Sequence, residues 1–139
     1  MELARVTAVD DDLVAAFGRL MPLLSETARP PTRDELAEII RTGHLFVARD
    51  PAIIGVATLN LYRVATGLTA RIDDVIVATE ARGRGVGEAL TRAAIDHARA
   101  AGARAVNLTS HPRREAANRL YQRIGFERRD TNTYVYKLR

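Results

Sequence analysis

The sequence predicts an α/β fold, with a mixed central sheet of about seven strands flanked by about four helices in one domain, residues 1–139. Three observations carry this. Apolar residues switch repeatedly between the two-residue repeat of a strand and the three-to-four-residue repeat of a helix. Capping residues and glycines mark where the helical stretches start and stop, and turn dipeptides join the strand-like runs. The resulting order, β-α-α-β-β-β-α-β-α-β-β, interleaves helices with strands as a mixed sheet requires.

Each element follows from its own residues. The run ELARVTAV (Glu2–Val9) alternates as a first strand. DDDLVAAFGRLM opens with acidic N-cap candidates and continues as a helix that Pro22 is expected to kink or end. After the loop SETARPPT, Thr32 and Glu35 have capping-box spacing for a helix over Arg33–Arg41, stopped by Gly43. HLFVAR and AIIGVATLNLYR read as a hairpin turning at Asp50-Pro51, and Thr66-Gly67 turns the chain into the strand LTARIDDVIVA. A helix from about Gly85 to Ala101 has Val86, Leu90, Ala94, Ala98 and Ala101 on one face and ends at Gly102. AVNLTS is the next strand. RREAANRLYQRI follows Pro112 as an amphipathic helix through Ala117, Leu120, Tyr121 and Ile124, closed by Gly125. Two short strands, FERRD and TYVYKL, complete the prediction on either side of Thr131-Asn132.

Composition narrows the function. There is no cysteine, which removes disulfides, thiolate metal ligands and a cysteine acyl-enzyme. The three histidines are scattered, so no metal site is expected. No run is long and apolar enough for a membrane span, and no basic-then-apolar leader opens the sequence; a cytoplasmic protein is the expectation. Charge is unevenly placed: residues 1–81 sum to −4 and residues 82–139 to +8. A basic half can attract nucleic acid, yet its arginines are spread over helical positions, and aromatics at 5% are thin for base stacking. No nucleic-acid partner is expected.

The densest signal is ARGRGVGEAL (Ala81–Leu90), with three glycines and two arginines between Arg82 and Gly87, where a helix begins. Glycine lets another group approach the backbone closely, and a helix start offers unpaired N–H groups and a positive dipole end. An anion suits that place. Two familiar phosphate motifs fail: no Gly-Lys is followed by Ser or Thr, and a G-x-G-x-x-G starting at Gly83 or Gly85 would need glycine at Glu88 or Leu90.

The string Arg82-Gly83-Arg84-Gly85-Val86-Gly87 instead resembles the R/Q-x-x-G-x-G/A motif of the GNAT superfamily of acyl-CoA N-acyltransferases. RIDDVIVATEARGRGVGEAL is similar to that family's central strand, pyrophosphate loop and helix. Asn118, Tyr121, Gly125 and Phe126 match its later N-x-x-A/L-x-x-x-Y-x-x-x-G-F region. The resemblance is specific from about Ile72 to Leu138 and architectural before that.

It implies an acetyl-CoA-dependent N-acetyltransferase in which a primary amine attacks the thioester directly. Acetyl-CoA would be the cosubstrate and the amine the acceptor. The amides from Gly83 through Gly85, Val86 and Gly87 to Glu88 would cradle the pyrophosphate, with charge from Arg82 or Arg84. The pantetheine arm would lie along Val75, Ile76 and Val77 like an added strand, and an N–H at Val77 or its neighbour would face the thioester oxygen. Tyr121 would give a proton to the departing sulfur, and Asn118 would bond the pantetheine or a water. The strand RIDDVIV is similar to the I-E-D-I-x-V strand of glucosamine-6-phosphate N-acetyltransferases, which places a carboxylate, Asp73 or Asp74, on the acceptor's proton route. Adjacent strand residues face opposite sides unless a bulge intervenes. Asp73 is the expected acceptor-side residue, because the similar enzymes carry their glutamate there. His111, beside Pro112, reads equally as a helix-start residue.

Two other classes stay open: a non-catalytic acyl-CoA sensor or partner-binding domain on the same fold, and a small nucleic-acid binder. Homodimers are common among such domains.

Overall fold

All residues, 1–139, are described by the computed structural model, and they group into two compact units, Met1–Thr109 and Ser110–Arg139. The first unit holds a five-stranded sheet whose spatial order equals its chain order: β1 (Glu2–Val6), β2 (His44–Arg49), β3 (Ile53–Val64), β4 (Gly67–Val77) and β5 (Val106–Asn107). Neighbours from β1 to β4 are antiparallel. β5 lies parallel to β4, which requires a long crossover, here made by helix α3 (Val86–Ala100).

The helices form where caps and apolar spacing agree. α1 (Asp11–Leu24) starts at Asp10, whose carboxylate accepts the Leu13 N–H at 2.8 Å, and it buries Leu13, Ala16, Phe17 and Leu20 on one face. α2 (Arg33–Thr42) opens with the expected capping box, Thr32 and Glu35 each bonding the other's backbone. Arg29, hydrogen-bonded to Glu35, and the Thr32 N–H lower the Glu35 pKa to about 2. α3 buries Val86, Leu90, Thr91, Ala94 and Ala98. It approaches β3 closely because residue 55 is glycine: a Cβ there would stand 2.8 Å from Val86 Cγ1 and 2.9 Å from Leu90 Cδ1. The position of the glycine loop that starts α3 depends on this contact.

The second unit contains helix α4 (Glu115–Ile124), ended by Gly125 at φ 125°. Tyr121 is its buried residue and meets Phe126 edge-on, ring centroids 5.7 Å apart.

Four sequence expectations need correction. The sheet has five strands rather than about seven, because FERRD and TYVYKL form none. FERRD is mostly charged and has no apolar face, and TYVYKL leaves Tyr134, Val135, Tyr136 and Leu138 exposed without a neighbouring strand to complete a ladder. AVNLTS contributes only Val106–Asn107. Pro22 does not stop α1, which runs on to Leu24: a proline this near the end costs one bond of the last turn, and the Ser25 N–H still closes on Met21 O at 2.9 Å. Finally, α4 begins at Glu115, after a turn in which the Arg114 N–H bonds His111 O at 3.0 Å. No helix is long and apolar enough to cross a membrane.

Candidate active site

Strand β4 changes character along its length. Val56 pairs with Ile76 but Thr58 pairs with Asp73, so Asp74 and Val75 together oppose the single residue Ala57. This is a β-bulge. Asp74 takes φ 55°, the left-handed conformation that aspartate tolerates better than most residues. Strand alternation therefore no longer forces the two aspartates onto opposite faces. On its other edge, β4 pairs with β5 only at Ala70 and Arg71. From Ile72 to Val77 that edge has no strand beside it, and Val75, Ile76 and Val77 lie along it.

The two carboxylates have different surroundings. Asp73 Oδ1 accepts from Arg71 Nε at 3.0 Å, and its Oδ2 lies 3.5 Å from Asn60 Nδ2. Arg71 also donates to Thr109 Oγ1 at 3.0 Å. The sequence holds a signal for this pair, since residues two apart on a strand share a face. Asp74 has no such ion pair. Burial, and then the neighbouring Asp73 charge, raise its pKa, with Arg71 opposing. Arginine pairing thus falls on Asp73, the residue expected to face the acceptor.

Beyond β4, a short 3₁₀ turn at Thr79–Ala81 leads into the glycine loop. Gly83 and Gly85 adopt φ 77° and 79°, and a Cβ on either would meet nothing within 4 Å. Backbone conformation, not crowding within the protein, selects glycine at both. Gly87 is instead the second residue of α3, where its carbonyl accepts from Thr91 Oγ1 at 2.7 Å. The first bond of α3 runs from the Ala89 N–H to Gly85 O at 3.0 Å, and no side chain caps the helix. Amides of the first turn at Val86 and Gly87 therefore point out of the helix end, flanked by exposed Arg82 and Arg84. Arg84 is ion-paired to Asp50, on the turn between β2 and β3. That contact spans 34 residues and has no sequence signal. Glu88, in the first turn of α3, holds Arg92 at 3.0 Å.

In the second unit, Asn118 uses Nδ2 to bond His111 O at 3.0 Å and Arg114 O at 2.9 Å, tying the turn to α4. His111 Nδ1 accepts the Arg113 N–H at 3.0 Å, the helix-start role. Burial pushes the Tyr121 phenol above its usual pKa, with the Arg114 charge opposing. At neutral pH it is a protonated hydroxyl.

Strand β4 is thus bulged with one edge open, and it is followed by an uncapped helix behind a glycine turn. The sequence matches the Acetyltransferase (GNAT) family over residues 8–126. The chain belongs to this GNAT acetyltransferase family. No curated protein matches it by sequence. Among solved structures, it is similar to an aminoglycoside acetyltransferase from an uncultured soil metagenomic sample, with TM-score 0.84 and 19% identity over 99% of this chain and 96% of that one. A Trypanosoma brucei acetyltransferase superposes with TM-score 0.77 at 23% identity, covering 98% and 100% of the two chains. Glucosamine-6-phosphate N-acetyltransferase from Arabidopsis thaliana gives 0.80 at 17% identity, covering 98% and 99%. At these identities the likeness is one of fold. Membership of the family supports acyl transfer as the general activity of this GNAT protein.

Proposed function

We propose that this GNAT protein transfers an acetyl group from acetyl-CoA to a primary amine by direct attack, without an acyl-enzyme. The observation that carries the reading is the open edge of β4 from Ile72 to Val77, running toward the glycine loop and the uncapped start of α3. An extended pantetheine arm can take the hydrogen-bonding place of a missing strand there. The pyrophosphate it carries would reach the amides between Gly83 and Gly87.

Chemistry follows from charge development. As the amine nitrogen bonds the carbonyl carbon, negative charge grows on the thioester oxygen, and an N–H at Val77 or its neighbour would receive it. The C–S bond then breaks and the sulfur needs a proton, which by the family resemblance the Tyr121 hydroxyl, protonated at neutral pH, would donate. An alkylamine with a pKa near ~10.4 reaches the site mostly as ammonium and must lose a proton before it attacks. Asp74 is the better acceptor of that proton, directly or through water: its basicity is raised, whereas the Asp73 carboxylate is occupied by Arg71. Asp73 would position Arg71 and the strand. Asn118 Oδ1, opposite the amide nitrogen used for the turn, would bond the pantetheine or a water.

A panel of amines with acetyl-CoA, read by release of free thiol, tests this. Amino sugars and aminoglycosides belong in the panel because two proteins of similar fold act on such amines by name. Turnover with at least one amine, lowered about 10²-fold by Tyr121→Phe with CoA affinity unchanged, is the expected result. CoA binding without thiol release from any amine would favour the sensor class and overturn the catalytic reading.

A further inference from the structure

Arg82 and Arg84 look equivalent in the sequence, one on either side of Gly83, and both are exposed. Their surroundings separate them. Arg84 Nη2 bonds Asp50 Oδ2, while Arg82 makes no ion pair. Asp50 sits in the short turn between β2 and β3, held by its own N–H donating to Ala52 O at 2.8 Å. Arg84 stands between two glycines in left-handed conformation, so the shape of the loop directs its side chain.

As a source of stability this pair contributes little. Its side chains are 49% and 41% exposed, and exposed pairs are weak because water screens them and both side chains lose freedom. Its location matters more. The guanidinium of the phosphate-type loop already carries a carboxylate oxygen, which resembles a phosphate oxygen in charge and in acceptor geometry.

We propose that Asp50 is a built-in counter-ion of the glycine loop, a carboxylate that competes with the pyrophosphate of a CoA thioester for Arg84. The inference rests on the CoA-binding reading above and adds a residue to it that lies outside the loop and outside β4. Asp50 lowers CoA affinity in two ways. It takes the arginine that the pyrophosphate needs, and once displaced it leaves a negative charge near a second negative group. It thereby tunes affinity downward and favours release of the CoA product. A phosphate still wins the exchange, because Asp50 holds the guanidinium through a single bond, whereas a pyrophosphate can take two parallel charge-assisted bonds and the amides of the loop as well.

Calorimetric titration with CoA of the wild type, Asp50→Asn, Arg84→Ala and the double variant tests the competition. Asp50→Asn is expected to tighten CoA binding about three- to fivefold, the worth of an exposed ion pair. Arg84→Ala is expected to weaken binding, and adding Asp50→Asn to it to give a smaller gain than in the wild type, because only the charge repulsion is then removed. Asp50→Ser serves as a second neutral variant, and thermal melts of all proteins check folding. If the wild type binds CoA but Asp50→Asn and Asp50→Ser leave affinity unchanged or weaken it, the competition is wrong and Asp50 is a strut for the loop. An equal gain with and without Arg84 also overturns it, since Asp50 would then act as a distant charge. A wild type that binds no CoA at all removes the CoA reading itself, a different result from either.

Discussion

The two halves of β4 obey different rules. From Gly67 to Ile72 the strand pairs with β3, and at Ala70 and Arg71 also with β5. Asn107 strengthens that side with bonds to Thr69 Oγ1 at 3.2 Å and Ala70 O at 3.4 Å, and the Arg104 N–H bonds Leu68 O at 2.9 Å. From Asp73 to Val77 the strand pairs with β3 alone, loses register by one residue and carries two adjacent carboxylates. A doubly paired strand has no free backbone groups, so it can only support. A singly paired, bulged strand exposes N–H and C=O groups that must find water or a ligand, and its irregularity places a side chain where regular pleating would not.

Removing the Asp74 charge is expected to have the largest effect on activity. Asp74→Asn keeps shape and tolerates the left-handed backbone, so the bulge persists while the proposed base is lost. An activity drop of about 10²-fold in kcat/KM is expected, at the low end for a general base. Stability should move the other way. A carboxyl whose pKa is raised on folding contributes stability below its unfolded pKa and loses it as pH rises through the folded value. Where Asp74 is ionised it therefore opposes folding, and Asp74→Asn should raise Tm at pH 7 while leaving Tm near pH 3 almost unchanged. Parallel losses of Tm and activity at pH 7 would show that Asp74 holds the bulge rather than the proton.

The next effect concerns what holds the bulged half in place. Gly55, on β3, pairs with Val77 of β4 and lies under Val86 and Leu90 of α3, which are 2% and 0% exposed and have no room to yield. Gly55→Val should cost about 1–3 kcal/mol by overpacking, read from chemical denaturation. It should weaken CoA binding as well, because α3 carries the loop. Undiminished affinity in a destabilised Gly55→Val protein would separate the loop from this contact.

How far the sequence reveals this follows the same division. The regular parts were legible: His44–Arg49 matches β2 at both ends, and Thr32 with Glu35 marks the start of α2. Local chemistry decides such features. The glycine loop was legible because positive φ at Gly83 and Gly85 has a compositional mark. What escaped depends on distant partners. A bulge is defined by the opposite strand, so although the family resemblance suggests a distorted strand here, nothing in RIDDVIV locates the bulge at Asp74 and Val75. The Arg84–Asp50 pair joins two turns, and TYVYKL has the alternation of a strand but not the neighbour that would make it one.

The smallest expected effect sharpens the contrast between the two aspartates. Asp73 lies at the junction of the halves, opposite Thr58, with Arg71 and Asn60 on its oxygens. Side-chain exposure of 36% for both members of the Arg71–Asp73 pair limits its worth to about 0.2–1 kcal/mol. Asp73→Asn keeps an oxygen that can still accept from Arg71 Nε, so the loss falls at the lower end of that range. Arg71 would also keep its bond to Thr109 and with it the link to the segment after β5. A small fall in Tm is expected, with kcat/KM changed less than threefold, because the carboxylate lost is the one an arginine already holds. The measurement is the pair of changes, Tm and kcat/KM, set beside those of Asp74→Asn. If Asp73→Asn instead lowers kcat/KM as much as Asp74→Asn while Tm holds, the proton route runs through Asp73, and Arg71 must be a partner that releases it during turnover.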